Sequence, residues 1–397
     1  METLGLSSKQ VQVSYYLVGI VVAYALWRLV NPSSGTGIDG AEDKPVVDEV
    51  DIREYYSFDV KECEEAKVPI QAIYQYPVRG VKGTRVQRIA LTSSGPLNDR
   101  IFVVLSQINM KPLSCDNNSM LTYMRQEFLP DNDPLTAHSV RIYLQETDLP
   151  PHLEKLKVKE LVLKIELDPK AKLIIGNKGY RGYMVSHEAN EWLSQVFDQR
   201  VVLLRAADGR RTEINHKRLQ KSQDVDKRRA FITDAAVHVI NLQSLKSVRE
   251  GLREKYKDES SKFEDIDTGV EVFRPTFVVD LDPFKEEELQ ELRIENTMLR
   301  QLGPCIRCKT TSLNWVKNMR NPEMEPYMYL TQKRWSKGLG PILGIYIQPK
   351  LINSSQEFEA LLPGFKKPDE SRFFREGAGV VTAQDSFRVR KQHRWYQ

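Results

Sequence analysis

Residues 68–106 read VPIQAIYQYPVRGVKGTRVQRIALTSSGPLNDRIFVVLS, a series of short apolar runs broken by prolines and glycines. Within it, IQAIYQYPV partly alternates between apolar and polar residues, as a strand with one buried face does. RIFVVL is a continuous apolar run of the kind a buried strand shows. SVRIYL, ELVLKIEL, RVVLLRA, TFVVDL and ILGIYIQP repeat these signals downstream. Helical patterns are fewer. HEANEWLSQVF is amphipathic, and NLQSLKSVREGLREKY starts at Asn241, whose side chain suits an N-cap. KDESSKFEDIDTG reads as a charged loop before the next strand. This order predicts a mixed, β-barrel-like α+β architecture and not regular βαβ alternation.

The 397 residues suffice for about two or three domains. A hydrophobic fraction of 41% excludes wholesale disorder. The net charge of +4 is mild and gives no argument for nucleic acid as a partner. Much of the excess sits in the last ten residues, RVRKQHRWYQ, which read as a solvated basic tail. Four cysteines, Cys63, Cys115, Cys305 and Cys308, are too few for a disulfide scaffold and suit a reducing compartment. The six histidines form no HExxH or H-x-H pair, so a histidine-built catalytic metal site is not expected.

The stretch VQVSYYLVGIVVAYALWRLVNP carries no charge from Val13 to Trp27. With its flanks it offers about 20 residues, enough for one helix across a ~30 Å hydrocarbon core. Tyr15, Tyr16, Tyr24 and Trp27 suit the interfaces, and Asn31-Pro32 stops the helix. The reading is a membrane anchor over residues 1–32, followed by a polar linker over 33–65.

GPCIRCKTTSLN, residues 303–314, sets two cysteines three apart with Arg307 beside the second. A zinc site needs a second such pair or two histidines, and neither is spaced to help. A redox dithiol belongs at the start of a helix after a strand, and KTTSLNWV starts a helix poorly. An inert core pair and a single working thiolate both stay open. A soft thiolate suits a high-valent metal held in a cofactor. Arginine-bearing loops that could cradle an anionic cofactor are YPVRGVKG, NDR at 98–100, MRQE at 124–127 and FRP at 273–275.

Taken in order, YPVRGVKG, a DR before an apolar strand, RQE, FRP and CIRCKTT resemble the MOSC-domain family. The sequence looks most like that family's membrane-anchored branch, the mitochondrial amidoxime-reducing component. The resemblance spans about residues 68–347. It implies an N-terminal β-rich domain over 66–200, a MOSC β-barrel domain over 201–365 and a basic C-terminal tail over 366–397. It implies a molybdenum cofactor (Mo-molybdopterin) in the cleft between the domains. Cys308 is then the catalytic residue and metal ligand, and Cys305 a bystander. The cofactor-binding set is Arg79, Gly80, Arg100, Arg125, Asp234, Arg274 and Arg307, because guanidinium groups bind the pterin phosphate bidentately. The implied activity is reduction of small N-hydroxylated compounds, such as amidoximes, with electrons from NADH through cytochrome b5 and NADH-cytochrome b5 reductase. The implied location is the mitochondrial outer membrane, with the main domains facing the cytosol.

Several positions depart from the family pattern. Arg79-Gly80 stands where Lys-Ser is usual, Ala236-Val237 replaces Ser-Pro after Asp234, and Val272 replaces an Asn. The loop after Cys308 is longer and more basic, so Lys317 and Arg320 bear on which substrates or donors approach. A closing GDPV strand is not evident. These changes leave room for a second function, a carrier of molybdenum cofactor or sulfur without reductase activity. A cofactor-free membrane scaffold is a third reading. Cofactor sulfurases also end in MOSC domains and carry an aminotransferase-like region not seen here, so sulfurase activity by this chain alone is not expected. Pyridoxal phosphate binding is a further association of the family.

Overall fold

The structure, a computed structural model of the chain, describes residues 66–92, 95–146, 148–177, 180–206, 231, 235–294, 297–349 and 379–391. Contacts divide the chain into Met1–Glu62 and Cys63–Gln397. The first unit, with the expected anchor, lies outside the described residues. Among the described residues no helix is long and apolar enough to cross a membrane.

The second unit is a mixed α+β fold with extensive strands. Seven of them are β1 (Ala66–Gln75), β2 (Val237–Asn241), β3 (Phe277–Val279), β4 (Leu289–Ile294), β5 (Thr297–Ile306), β6 (Gly340–Pro349) and β7 (Ser386–Lys391). Their pairings run β2–β3–β1–β7–β4–β5–β6, and β6 pairs in turn with β2. Only β2–β3 is parallel among these pairings. Because each strand has neighbours on both edges, little backbone is left without a partner. Val68, Ile73, Val239, Phe277, Leu292, Leu299, Ile345, Ile347 and Phe387 contribute to one buried core.

In β1 the pattern of the sequence shows directly. Val68, Ile70 and Ala72 are buried while Lys67, Pro69 and Gln71 are exposed. A register shift between Ile70 and Ala72 against β3 then lets Ile73 turn inward as well. β7 arises from SFRVRK, within the stretch expected to be a basic tail. It pairs with β1 (Val68 opposite Phe387) and with β4 (Leu292 opposite Val389). The alternation of Phe387 and Val389 with charged residues is a strand signal, and a count of arginines conceals it.

Outside this circuit, Phe102–Ser106, Val201–Ala206, Arg181–Met184 and Leu173–Ile175 form a four-stranded antiparallel sheet. Helix α1 (His187–Phe197) packs on it, with Ser186 capping the Ala189 N–H at 3.0 Å. Helix α2 (Leu242–Lys255) follows β2 directly. Asn241 makes that junction: its Oδ1 accepts from Gln243 N at 3.1 Å and from Leu281 N at 3.0 Å. The expected charged loop after α2 contains a short helical turn, Ser260–Glu264, built around Phe263.

Candidate functional site

β1 ends at Gln75, and the chain then turns through Tyr76-Pro77-Val78-Arg79-Gly80. Tyr76 is fully buried. Its N–H donates to Asp99 Oδ1 at 2.8 Å and its hydroxyl donates to the Pro275 carbonyl at 2.9 Å. Two of the expected arginines stack on this ring. The guanidinium carbon lies 4.5 Å from its centroid for Arg100 and 4.4 Å for Arg274. Both residues adopt the left-handed backbone, at φ 49° and φ 54°. That conformation costs a non-glycine residue about 1 kcal/mol or more, and it persists where the surroundings over-determine it.

The charges in this cluster are poorly compensated. Arg100 pairs with Asp99, whose carboxyl is raised by its burial. Arg274 donates to the Val81 carbonyl at 2.8 Å and lies 5.8 Å from the Trp315 ring. Burial pushes the Arg274 guanidinium down from its ordinary value, and the Arg100 charge adds to the effect. Two cations on one ring repel each other, and an anion bound between them relieves that repulsion.

Gly80 belongs to the same turn. Its φ is +89°, and a Cβ added there would stand 3.1 Å from Leu121 Cδ1. A residue with a side chain would be strained and crowded at this turn. The Gly80 carbonyl accepts from Cys115 Sγ at 3.3 Å, and burial pushes that thiol up to about 11.

The other expected residues lie elsewhere. Arg79 donates to the Tyr180 hydroxyl and to the Phe231 carbonyl at 3.2 Å, so its side chain leaves the Tyr76 ring. Arg125 donates to the Thr122 carbonyl at 2.7 Å and to Gln145 Oε1 at 2.6 Å, closing its own loop. Asp234 lies outside the described residues. Ala236 is buried against Gly95, where an added Cβ would meet the alanine Cβ at 3.0 Å. The small side chain at Ala236 thus serves this packing.

The cysteine motif occupies the irregular end of β5. Register shifts against β6 fall between Gln301 and Gly303 and between Pro304 and Ile306. The strand stops at Ile306, and Cys308 then caps the 3-10 turn Lys309–Ser312. Cys305 is buried and Cys308 is exposed, so the two thiols have opposite surroundings. Cys308 Sγ lies 2.6 Å from Thr310 Oγ1. Arg307 does not bond to the Cys308 thiol. Its Nη1 donates to Cys305 Sγ at 2.9 Å and its Nη2 to the Phe273 carbonyl at 2.8 Å.

One residue in this region carried no signal in the sequence. His238 is buried, with Nδ1 3.3 Å from the Arg274 carbonyl and Nε2 3.4 Å from Arg307 Nη1. Burial, with the Arg307 charge, lowers its pKa to about 3, so the ring is neutral. As a lone histidine inside an apolar strand, VHVIN, it lacks any motif. The loop after Cys308, which the sequence marks as long and basic, forms a hairpin of Leu313–Asn314 and Met319–Arg320. Lys317 pairs with Asp265, and Arg320 pairs with Asp116 at 2.8 Å. Arg320 Nη1 also donates to the Lys309 carbonyl at 2.5 Å and to Ser312 Oγ at 3.1 Å. Both cations thus tie the hairpin down and are not free on its surface.

No group of three or more His, Cys, Asp or Glu is placed to hold a metal ion among the described residues. The exposed Cys308 would suit a different arrangement, in which a single sulfur ligand meets a metal whose other ligands come from an organic group. Arg100 and Arg274 supply the guanidinium N–H groups that an anionic part of such a group needs.

Residues 226–361 match the family model described as "MOSC domain". The chain is 24% identical over 277 residues to the molybdenum cofactor sulfurase of Solanum lycopersicum, covering 68% of this chain and 32% of that protein. It is 22% identical over 353 residues to the molybdenum cofactor sulfurase of Danio rerio, covering 83% and 39%. For that of Oryza sativa subsp. japonica the figures are 20% over 275 residues, 68% and 31%. The chain spans about a third of the length of the curated relatives it matches. These matches do not single out the amidoxime-reducing branch. A solved structure described as "Crystal structure of an hypothetical protein" aligns at a TM-score of 0.23 and 10% identity, over 39% of this chain and 52% of that chain, which is too slight to bear on the fold. The chain carries a MOSC domain, and the proteins it is similar to are molybdenum cofactor sulfurases.

Proposed function

We propose that this protein binds the molybdenum cofactor, with Cys308 as the metal ligand, and reduces small N-hydroxylated compounds. The observation that carries the reading is one exposed thiol on a chain that also stacks Arg100 and Arg274 on a single buried tyrosine. When bound, the cofactor supplies two-electron redox chemistry at molybdenum. The chain's own residues bind and orient. Arg100 and Arg274 hold the anionic part, Gly80 lets the backbone turn closely beneath it, and the Thr310 hydroxyl stands beside the Cys308 sulfur. Arg79, Arg125 and Arg307 act at one remove, through the loops they close. Electrons come from NADH through cytochrome b5 and its reductase. The apolar stretch within residues 1–32 anchors the protein in the mitochondrial outer membrane, facing the cytosol.

The test is NADH-dependent reduction of an aromatic amidoxime by the full chain with cytochrome b5 and its reductase. Turnover that vanishes in Cys308→Ser supports the reading. A metal-loaded protein with no turnover contradicts the reductase activity. The similarity to cofactor sulfurases favours one second reading, a protein that holds or hands over the cofactor or its sulfur. It predicts that the loaded protein passes molybdenum cofactor to a cofactor-free acceptor enzyme and activates it.

A further inference from the structure

The resemblance leaves Cys305 as a bystander and gives His238 no role, yet both sit in one chain of hydrogen bonds that ends on Arg274. Cys305 Sγ accepts from Arg307 Nη1 at 2.9 Å. The same nitrogen lies 3.4 Å from His238 Nε2, while Nη2 donates to the Phe273 carbonyl at 2.8 Å. His238 Nδ1 lies 3.3 Å from the Arg274 carbonyl. The ring also meets the Leu343 backbone; in the tautomer that serves the two contacts above, Nε2 accepts from Arg307 and Nδ1–H donates to Arg274. Two successive carbonyls, of Phe273 and Arg274, are therefore held from one side at the residue where the backbone enters the left-handed region.

We infer that Cys305, Arg307 and His238 form a positioning relay that fixes the Phe273–Arg274 turn and so aims the Arg274 guanidinium at its anion. The relay is buried, and Arg307 also stacks on the Phe273 ring at 5.2 Å. Its guanidinium fork spans two acceptors, a thiol and a carbonyl, which a lysine ammonium cannot match at both points. The packing behind His238 is equally tight. A Cβ added at Gly344 would stand 2.7 Å from Nε2 and 2.5 Å from the Val239 carbonyl, which leaves no room for the ring to shift towards β6. On the far side, Arg274 is kept in place by Tyr76 and the Val81 carbonyl. The spacing Cys-x-Arg thus has a structural use separate from Cys308: the first cysteine anchors the arginine that holds the FRP turn.

The inference rests on the proposed role of Arg274 in cofactor binding, and its test has one arm that does not need the cofactor. The guanidinium of Arg274 lies 5.8 Å from the Trp315 ring, so the Trp315 indole N–H resonance reports its position. In full-length protein labelled with 15N-tryptophan, Arg274→Lys shifts that resonance. Arg307→Lys and Cys305→Ala are expected to shift it in the same direction, and Cys305→Ser, which keeps an acceptor for Arg307, to restore most of the native position. A folded Arg307→Lys protein with an unmoved Trp315 resonance overturns the relay. The second arm is a double-mutant cycle on retained molybdenum cofactor. Arg274→Lys and Arg307→Lys are each expected to lower retention about tenfold, and the double variant to fall no more than about twofold below either. Losses that multiply show that Arg307 does not act through Arg274. If the wild-type chain retains no molybdenum, the functional reading fails while the resonance still decides the relay.

Discussion

Arg307 and Cys308 are neighbours in sequence, yet the structure directs the arginine at Cys305 and leaves the Cys308 thiol exposed. Both lie just past the end of β5, where Arg307 is buried and turns back onto Cys305 while Cys308 opens the exposed turn that follows. The sequence identified the arginines of the loops, but not the aromatic ring that gathers two of them. Tyr76 lay inside YPV and read as part of the strand, because stacking depends on residues 24 and 198 positions away that no local pattern reveals. Buried titratable groups were equally hidden. Glu286 is buried although it lies within the acidic run KEEE. Its Oε2 accepts from Ser244 at 2.8 Å and Asn241 at 3.1 Å, and its Oε1 has no partner among the described residues. Burial raises this carboxyl to about 7 from an ordinary 4.5. Its folded pKa lies above its unfolded one, so its stabilising contribution is complete below about pH 4.5 and is lost as pH rises through about 7. His238 runs the other way: its contribution is complete above about 6.5 and is lost as pH falls towards about 3. Glu286→Gln should therefore stabilise the protein by ~1–3 kcal/mol at pH 8 and by much less at pH 5. Urea unfolding at the two pH values checks this, and an equal effect at both contradicts it.

At the scale of elements, strand and helix signals with strong periodicity were legible. SVRIYL, RVVLLRA and ILGIYIQP are strands, and HEANEWLSQVF is α1 with the bounds that its pattern suggests. Asn241 caps α2 as its position before the periodic stretch indicates. The hairpin after Cys308 was harder to read. Its strands, Leu313–Asn314 and Met319–Arg320, are two residues each, too short to carry a periodic signal. Charge there suggested a surface for partners, but Lys317 and Arg320 are matched by Asp265 and Asp116, which are distant in sequence. Arg320 alone bonds to two groups of the turn that begins at Cys308. Arg320→Met removes those bonds and the Asp116 pair, a loss of about 1–3 kcal/mol locally. Amide hydrogen exchange over residues 309–313 should then rise by roughly tenfold or more while β1 and β6 stay protected. Unchanged exchange in that turn contradicts the assigned role of Arg320.

The whole molecule depends on contacts that join the two ends of the described chain. β7 lies between β1 and β4, so residues 386–391 complete a circuit that begins at residue 66. Reading along the sequence, a strand from the basic C-terminal stretch was not expected, because the partner it needs lies more than 300 residues earlier. Phe387 is fully buried and meets the Phe277 ring edge-on, with centroids 5.1 Å apart. Phe387→Ala is expected to cost roughly 3–5 kcal/mol and to lower the unfolding temperature of the entire unit cooperatively. A change confined to the C-terminal residues would show that β7 is only an attached edge. The same closed arrangement brings FRP, YPVRG and NDR to one tyrosine, and the function proposed here depends on that convergence. The most direct measurement is the molybdenum and pterin content of the full chain, produced in a host that makes the cofactor, beside Cys308→Ser and Cys305→Ser. The account predicts close to one molybdenum per chain in the wild type, most of it kept in Cys305→Ser, and almost none in Cys308→Ser. A folded wild-type protein without molybdenum, or a Cys308→Ser variant that keeps it, would contradict the central claim.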